Sequence, residues 1–305
     1  MPRGFPRTIL EFEHRFRTEE ACEAYLAGIR WADGFRCPRC ENAKAWKRAR
    51  GQYQCSGCGA EASVTAGTVF HRSKVSLRLW FRAIWWLTNQ KTGINAMSLQ
   101  RLLGLGSYQT AWTMLHKLRR AMVRPEREML SGQVEIDETL IGGHRKRPYS
   151  RYSKKTVIIA AEVRGKGIGR IRLETIPNDR LGPLLSFARR NVVANSEIRT
   201  DGSWAYRHLA ALGYRHSATA LRNKPDEESI RALPRVHRIA SLLKRWLLGT
   251  YQGRASPEQL EHYLQEFTFR FNRRLSPTRG QLFYRLVQQC ISHAPTPYKA
   301  IARNV

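Results

Sequence analysis

The stretch GQVEIDETLIGG, residues 132–143, is the part of the sequence on which the fold prediction depends. Apolar and polar side chains alternate along it, which is typical of a β-strand with one buried face. TVIIAAEVR (156–164) and RIRLETIP (170–177) read as two further strands. Residues 178–192 then predict a helix, and SEIRTDGSWAY (196–206) predicts a short fourth strand followed by more helices. This order predicts a mixed α/β sheet.

Two aspartates of this region are candidate ligands for a divalent cation. Asp137 lies in mid-strand among apolar residues, where an unpaired carboxylate is costly. Asp201 ends a later strand, and α/β sheets bind ligands at such strand ends. Each has an ordinary alternative, since Asp201 could form a turn and Asp137 could pair with one of many arginines. Two carboxylates in a basic domain nevertheless indicate Mg²⁺ or Mn²⁺, which prefer oxygen ligands.

Two glutamates flank the first aspartate. By the two-residue period of a strand, Glu135 shares the face of Asp137 and Glu138 lies on the opposite face. The sequence assigns no role to either glutamate.

A third ligand is expected from a helix, and VHRIASLLKRW, residues 236–246, contains a histidine. Its apolar residues recur at helical spacing. His237 and Lys244 are seven residues apart, so they lie on one flank of the apolar stripe. Taken alone, this pattern favours a histidine at the edge of the core and a solvated lysine over a functional pair.

The charge of the chain indicates a polyanionic partner. Its 305 residues include 53 lysines and arginines against 24 aspartates and glutamates, a formal net charge of +29. Nucleic acid is the leading partner for such a surface, and an anionic membrane is the competitor. The longest apolar cluster, LWFRAIWWL (79–87), contains an arginine and is too short to span a bilayer. The start of the chain has no signal-peptide core, so we expect a soluble cytoplasmic protein.

Four of the cysteines have the spacing of a metal site. They form two Cys-x-x-Cys knuckles, which in a reducing cytoplasm are more often metal ligands than disulfides. Four thiolates on two knuckles suit a structural zinc ion, and the ligands predicted are Cys37, Cys40, Cys55 and Cys58. We therefore predict a zinc ribbon at residues 31–70, after an N-terminal helical segment at 1–30. The ribbon also carries basic side chains that either contact phosphate or are simply solvated, namely Lys44, Lys47 and Arg48.

Residues 71–125 predict a DNA-binding segment of the helix-turn-helix type. Three helices are expected, and a short one that stops at Gly104 is followed by a longer basic one with Ser107 as its N-cap. In a helix-turn-helix, the start of the second helix reads the major groove of DNA. The residues expected to contact DNA are Tyr108, Gln109, Thr110 and Lys117. Plain packing of a three-helix bundle is the alternative.

Taken together, these motifs give the chain a specific resemblance. It resembles bacterial insertion-sequence transposases of the ISXO-like type over roughly residues 10 to 290. The segments that carry the resemblance are RWADGFRCPRC, YQCSGCG, VEIDETLIGG, TDGSWAY, LKRWLLGTYQG and YLQEFTFRFNRR. The resemblance implies a multidomain protein in which residues 126–305 form an α/β, RNase H-like catalytic domain with C-terminal helices.

The resemblance also implies a catalytic constellation. Asp137 and Asp201 fall on the first two metal-ligand positions of this group of DDE strand transferases. The third position, usually a glutamate seven residues before a lysine, falls on His237, with Lys244 as that lysine. Imidazole brings no negative charge, so Mg²⁺ should be held more weakly than by three carboxylates, and Mn²⁺ is an alternative. The acids at 226–228 are rival third ligands, although their segment reads as a polar turn.

The function implied is DNA transposition. Such an enzyme cleaves and joins DNA strands at insertion-sequence ends by two-metal-ion phosphoryl transfer, and it contacts both element-end and target DNA. Bringing two ends together implies a homo-oligomer on DNA in the bacterial cytoplasm. Two alternatives remain open: a DNA-binding protein whose RNase H-like domain is inactive, and a metal-dependent nuclease that does not join strands.

Overall fold

The structure is a computed structural model, and it describes residues 4–48, 51–124, 126–142, 154–178, 181–219, 226–252 and 258–302. The chain divides into two compact units. The first comprises Met1–Arg124 with Leu275–Arg303, and the second comprises Pro125–Arg274 with Asn304–Val305.

The helices and strands are numbered in chain order. The helices are α1 (Ile9–Arg15), α2 (Glu19–Arg30), α3 (Leu77–Asn89), α4 (Ala96–Leu103), α5 (Tyr108–Ala121), α6 (Leu181–Asn191), α7 (Asp226–Ala232), α8 (Pro234–Tyr251), α9 (Leu260–Asn272), α10 (Arg279–Ser292) and α11 (Tyr298–Ala302). The strands are β1 (Ala45–Lys47), β2 (Gln52–Cys55), β3 (Glu61–Ser63), β4 (Gln133–Ile141), β5 (Lys155–Arg164), β6 (Gly167–Ile176), β7 (Glu197–Thr200) and β8 (Arg215–Ala218). A 3-10 helix covers Trp204–Leu212.

The first unit contains the small ribbon predicted from the cysteines. Strands β1, β2 and β3 form an antiparallel sheet in that order. A sheet of this size encloses little apolar area, so aromatic contacts and metal ligands must stabilise it. Tyr53 supplies such contacts, since its ring lies 4.7 Å from that of Trp31 and 5.8 Å from that of Phe35.

The three helices predicted after the ribbon are α3, α4 and α5. Each begins with a capping side chain: Ser76 accepts from Leu79 N–H, Asn95 from Ser98 N–H, and Ser107 from Thr110 N–H. Gly104 ends α4 in the left-handed conformation, with φ of 62°, as a glycine stop requires.

The C-terminal helices differ from the prediction. The sequence assigned all of residues 126–305 to one catalytic domain, whereas α10 packs against α2, α3 and α5 in the first unit. Phe283 of α10 lies in the aromatic core there, 5.6 Å from the ring of Phe81 and 5.5 Å from that of Phe12. Helical periodicity cannot reveal which distant helix an apolar face will meet, so this placement could not be predicted.

The second unit is the mixed α/β sheet that the sequence predicted. Its strands lie in the order β6-β5-β4-β7-β8, with β4 in the centre. Strands β4, β5 and β6 pair antiparallel, whereas β7 pairs parallel with β4, and β8 pairs parallel with β7. The fifth strand, β8, was not predicted, because its four residues are too short and polar to show a strand period.

Helices cover both faces of this sheet. Ile136 of β4 belongs to one core with residues of α6 and the 3-10 helix, and Ile141 belongs to a second core with residues of α8 and α9. Because side chains alternate along a strand, the odd-numbered residues of β4 face α8 and the even-numbered ones face the 3-10 helix. This alternation decides which neighbours Glu135, Asp137 and Glu138 meet.

Candidate active site

Asp137 lies in the middle of β4 and faces the first turn of α8. His237, the fourth residue of that helix, places its Nε2 3.8 Å from Asp137 Oδ2. Both side chains are largely buried, at 19% exposure for Asp137 and 29% for His237. The buried His237 Nε2 has no hydrogen-bond partner among the described residues. A buried nitrogen in that state costs free energy unless a ligand satisfies it.

Asp201 follows β7 immediately, and β7 is the parallel neighbour of the strand that carries Asp137. In the parallel pairing, Glu135 lies opposite Arg199. Two residues further along each chain segment come Asp137 and Asp201, so these two also lie side by side. A tight turn fixes Asp201, because Ser203 N–H donates to its Oδ1 at 3.0 Å and Gly202 has φ of 79°. The structure thus brings the two predicted aspartates together on neighbouring strands.

Ionisation of Asp137 is costly where it lies. Burial raises the pKa of Asp137 to about 6, and the charge of Asp201 acts in the same direction. The Glu138 N–H, which donates to Asp137 Oδ1 at 2.8 Å, and the nearby His237 act to lower that pKa. A bound cation would remove most of this cost, since it stabilises both ionised carboxylates.

The three predicted ligand side chains stand further apart than the ligands of a tightly bound ion. Within the described residues, the four cysteines form the one group of three or more potential ligands whose atoms all lie within 4.8 Å of one another. The set of Asp137, Asp201 and His237 does not meet this criterion, although His237 Nε2 lies 3.8 Å from Asp137 Oδ2. Their donor chemistry, two carboxylates with an unsatisfied imidazole nitrogen, fits Mg²⁺ or Mn²⁺.

Glu135 has a structural role that the sequence did not reveal. Its side chain is fully buried and accepts hydrogen bonds from the first backbone N–H groups of α8, Arg235 at 2.7 Å and Val236 at 3.2 Å. It also pairs with the Arg235 guanidinium at 2.9 Å. The N-cap position of α8 is Leu233, which has no capping side chain, so Glu135 replaces the cap from the neighbouring strand. The only sequence feature that pointed to this role was the two-residue spacing that places Glu135 and Asp137 on one face of the strand.

Glu138 lies on the opposite face, as the strand period predicted. It accepts a hydrogen bond from Tyr206 Oη. Burial, reinforced by Glu138, raises the pKa of Tyr206 well above its usual value, so the phenol stays a proton donor. This contact links the centre of β4 to the 3-10 helix that follows Asp201.

Three further candidates from the sequence, Lys244, Glu227 and Glu228, are exposed. Lys244 is exposed on α8, seven residues beyond His237. Residues 226–232 form helix α7, so the prediction of a polar turn at the rival acids was wrong. Glu227 and Glu228 are exposed on that helix. Both lie in its first turn, where acidic residues stabilise a helix N-terminus, and this explains them without a metal.

The four cysteines of the ribbon meet the geometry of a zinc site. Cys37 Sγ lies 3.7 Å from Cys58 Sγ, and Cys40 Sγ lies 3.5 Å from Cys55 Sγ. Tetrahedral zinc with Zn–S bonds of about 2.3 Å places its sulfurs about 3.8 Å apart. Backbone N–H groups of Arg39 and Gly57 point at the Cys37 and Cys55 sulfurs, at 3.4 and 3.3 Å, which stabilises thiolates. The cluster is therefore suited to a structural zinc ion.

The predicted DNA-contact residues differ in exposure. Lys44, Lys47 and Arg48 are exposed around β1, next to a Trp46 side chain that is 60% exposed. On α5, Tyr108 and Gln109 are exposed at the first turn.

Two predicted contact residues of α5 are less available. Thr110 is partly buried, and its hydroxyl lies 3.2 Å from that of the capping Ser107. Lys117 is partly buried as well, and burial lowers its pKa. It lies two turns beyond the start of α5, so the first turn is the better candidate for contact.

The fold and the site define a class of protein that combines a cysteine ribbon, a helical segment and a mixed α/β domain with two aspartates on neighbouring strands. Residues 129–272 match the family described as the ISXO2-like transposase domain, and residues 17–61 match the transposase zinc-ribbon domain. Two transposase-domain models thus match this chain in the expected order, and its resemblance to ISXO-like insertion-sequence transposases is confirmed.

A relative from Halobacterium salinarum supports the same assignment. It is described as an uncharacterized protein in transposable element ISH50, and it is 33% identical to this chain over 127 residues. The match covers 40% of this chain and 42% of the relative. Among the described residues, no helix is long and apolar enough to cross a membrane.

Proposed function

We propose that the chain is a DNA transposase that cleaves and joins strands at insertion-sequence ends. The single observation that carries the proposal is that His237 lies 3.8 Å from Asp137 while Asp201 ends the strand next to Asp137. All three residues lie within the matched transposase domain. A largely buried aspartate with a second aspartate nearby and an unsatisfied imidazole nitrogen beside it is a poor structural solution but a reasonable metal site.

Each residue has a separate task in this proposal. Asp137 and Asp201 bind the catalytic ions through carboxylate oxygens, and His237 binds through its neutral Nε2, in an Asp-Asp-His variant of the usual acidic triad. Divalent ions held there supply the activation of the attacking hydroxyl and the stabilisation of the leaving 3′ oxygen. Lys244 contacts DNA phosphate from the exposed flank of α8. Glu135 keeps the first turn of α8, and hence His237, in register with β4.

The reaction needs no covalent protein intermediate. The oxygen of a water attacks the scissile phosphorus, and the 3′ oxygen leaves to give a free 3′-hydroxyl. That hydroxyl then attacks a phosphate of the target DNA, which forms one new phosphodiester bond and breaks another. The same site serves both steps, because each is a displacement at phosphorus.

The other parts of the chain bind DNA in this proposal. The ribbon at residues 31–70 holds zinc and presents Lys44, Lys47 and Arg48 to phosphate. The segment at 71–125 is a helix-turn-helix in which Tyr108 and Gln109 approach base edges, with Thr110 and Lys117 as lesser contacts. The catalytic domain, which begins near residue 126, has an RNase H-like arrangement of its central strands. Two element ends require a homo-oligomer on DNA, and the net charge of +29 suits a DNA-associated protein.

The proposal is tested with labelled DNA that carries the two ends of the element. Wild type should release a free 3′ end in Mg²⁺ or Mn²⁺ and join it to a target duplex. Asp201→Asn should bind the ends as well as wild type but cut at least about a hundredfold more slowly, because a ligand charge is lost. Glu227→Gln, an exposed acid of the same unit, is the matched control and should cut normally.

Other outcomes would replace the proposal. Cutting without joining would make the chain a metal-dependent nuclease. Binding without cutting in either metal would favour a DNA-binding protein with an inactive catalytic domain. Cutting by Asp201→Asn at the wild-type rate would contradict the metal site.

A further inference from the structure

Trp204 is an exposed tryptophan in the chain segment that follows Asp201. It is 59% exposed, although it opens a 3-10 helix whose next residues, Ala205 and Tyr206, are buried. Exposing so large an apolar ring costs free energy in water. Single exposed apolar side chains are common on protein surfaces, so whether this ring has a ligand depends on what surrounds it.

The position of Trp204 relative to Asp201 is closely defined. Three residues of chain span at most about 10 Å, and the turn at Gly202 shortens this distance. The hydrogen bond from Ser203 N–H to Asp201 Oδ1 locks that turn. Successive nucleotides of one strand rise by about 3.4 Å, so a phosphate held at Asp201 leaves its neighbouring bases within reach of the ring.

The residues that follow Trp204 are anchored in the core. Tyr206 is buried, and its hydroxyl donates to Glu138 on β4, the strand that carries Asp137. Leu209 is fully buried in the same core. The tryptophan is thus held on the sheet that carries both aspartates and does not project from a loose loop.

Arg207 completes a platform with this ring. Its guanidinium lies 5.2 Å from the Trp204 ring centroid, and its Nε donates to the Trp204 carbonyl oxygen at 3.3 Å. An exposed indole with a guanidinium over one of its faces offers its other face for stacking and a positive charge for a phosphate. Single-stranded nucleic acid is bound by this combination of aromatic stacking and basic side chains.

We propose that Trp204 and Arg207 form a binding site for one unpaired nucleobase next to the scissile phosphate. The ring stacks on the base, and the guanidinium neutralises the adjacent phosphate. This proposal rests on the proposed function only for the position of the scissile phosphate. Stacking requires a base that is out of the duplex, so the site distinguishes frayed or unpaired ends from intact double helix.

A second copy of the chain is the competing occupant of an exposed tryptophan. The arginine beside the ring and the nearby carboxylates that are proposed to hold phosphate-bound metal favour nucleic acid. An interface between copies would be expected to surround the ring with large apolar side chains, whereas the exposed residues that follow it on this helix are Arg207, His208 and the small Ala210 and Ala211.

The test measures binding without catalysis. A fluorescein-labelled 20-nucleotide single strand and the duplex of the same sequence are titrated with the full chain by anisotropy, without added Mg²⁺ or Mn²⁺ and without a chelator, so that the ribbon keeps its zinc and no strand is cut. Trp204→Ala should weaken single-strand binding about tenfold and duplex binding less than about twofold. Trp204→Phe should lie between, and it retains an aromatic ring if the alanine variant folds poorly. Val193→Ala, another exposed apolar residue of this unit, is the control and should bind both DNAs normally.

The outcomes separate this inference from the proposed function, because no cleavage is required. Equal losses for single strand and duplex, or no loss in either variant, would overturn the inference. So would a change in sedimentation coefficient for Trp204→Phe with unaltered single-strand affinity, which would assign the ring to a contact between copies.

Discussion

At the scale of the residue, the central feature is a pair of largely buried polar side chains, Asp137 and His237, that lack some of the hydrogen bonds they could make. Asp137 is held by one backbone N–H and lies 3.8 Å from a histidine nitrogen that has no hydrogen-bond partner among the described residues. Glu135, two residues earlier on the same strand, is fully satisfied by two N–H donors and a guanidinium. The contrast between the two acids indicates function at Asp137 and stability at Glu135.

Glu162 illustrates the structural use of a carboxylate and gives a pH prediction. Burial alone would raise its pKa, but the Arg170 side chain and the N–H groups of Arg170 and Ser131 hold that pKa below its usual value. The carboxylate thus stabilises the fold above its ordinary pKa of about 4.3, and this stability is lost as pH falls through the lowered value. Glu162→Gln should lower the melting temperature at pH 7.

The difference in melting temperature between wild type and Glu162→Gln should shrink when melting is followed by calorimetry below about pH 4. A difference that stays constant down to pH 2 would mean that the charge of Glu162 does not contribute. Glu197→Gln, at an exposed contact with Gln133, is the control and should melt like wild type at every pH.

At the scale of the element, helix α8 owes its position to a cap from another strand. Its own N-cap residue, Leu233, cannot cap, and Pro234 at the first position supplies no N–H. The next two N–H groups bind Glu135. We call these contacts of Glu135 with the start of α8 the clamp. His237 is the next residue after Val236, so the clamp also fixes the histidine against Asp137.

Removing the clamp should loosen the first turn of α8. Glu135→Ala removes the carboxylate that pairs with Arg235, whose side chain is 16% exposed, at a cost of about 3 kcal/mol, although the guanidinium still donates to the Gly165 and Gly167 carbonyl oxygens. We expect hydrogen exchange in peptides covering 234–240 to accelerate by more than about tenfold. Metal-dependent cleavage should fall as well, because His237 loses its register.

Two variants define what this result means. Glu135→Gln keeps a side-chain acceptor but not the charge, so it should lie between alanine and wild type. Glu227→Ala removes a solvent-exposed pair with Arg231 and should leave exchange unchanged. Unaltered protection in Glu135→Ala would show that the packing of α8 alone holds the helix.

The elements themselves were largely predictable, because their signals are local. The cysteine spacing indicated the ribbon, Ser107 and Gly104 indicated the boundaries around α5, and two-residue alternation placed Asp137 on a strand. What joins these elements was not predictable. The pairing of Glu135 with Arg235 spans a hundred positions, and no periodicity reports such a contact. The same reason explains why β8 and the place of α10 were missed.

At the scale of the whole molecule, the two compact units are stabilised by different interactions. The first relies on four thiolates and a cluster of aromatic rings, and the second on an apolar sheet covered on both faces. Zinc should therefore matter to one unit and not to the other.

Replacing both Cys37 and Cys55 with serine tests this division. Metal analysis should show about one zinc per chain in wild type and none in the variant. Affinity for duplex DNA should fall, since the basic residues around β1 lose their scaffold, whereas the circular dichroism of the sheet unit should persist. Cys22→Ser, at a buried cysteine outside the cluster, should retain its zinc. Retention of zinc by the double variant would contradict the ribbon.

The most direct test of the central claim compares His237 variants in a cleavage assay on labelled element-end DNA, in Mg²⁺ and in Mn²⁺. If His237 is the third ligand, His237→Ala should abolish cutting in both metals. His237→Glu should cut in Mg²⁺, because a carboxylate is the harder ligand. Cutting by His237→Ala at the wild-type rate would contradict the account and leave the histidine as a residue at the edge of the core.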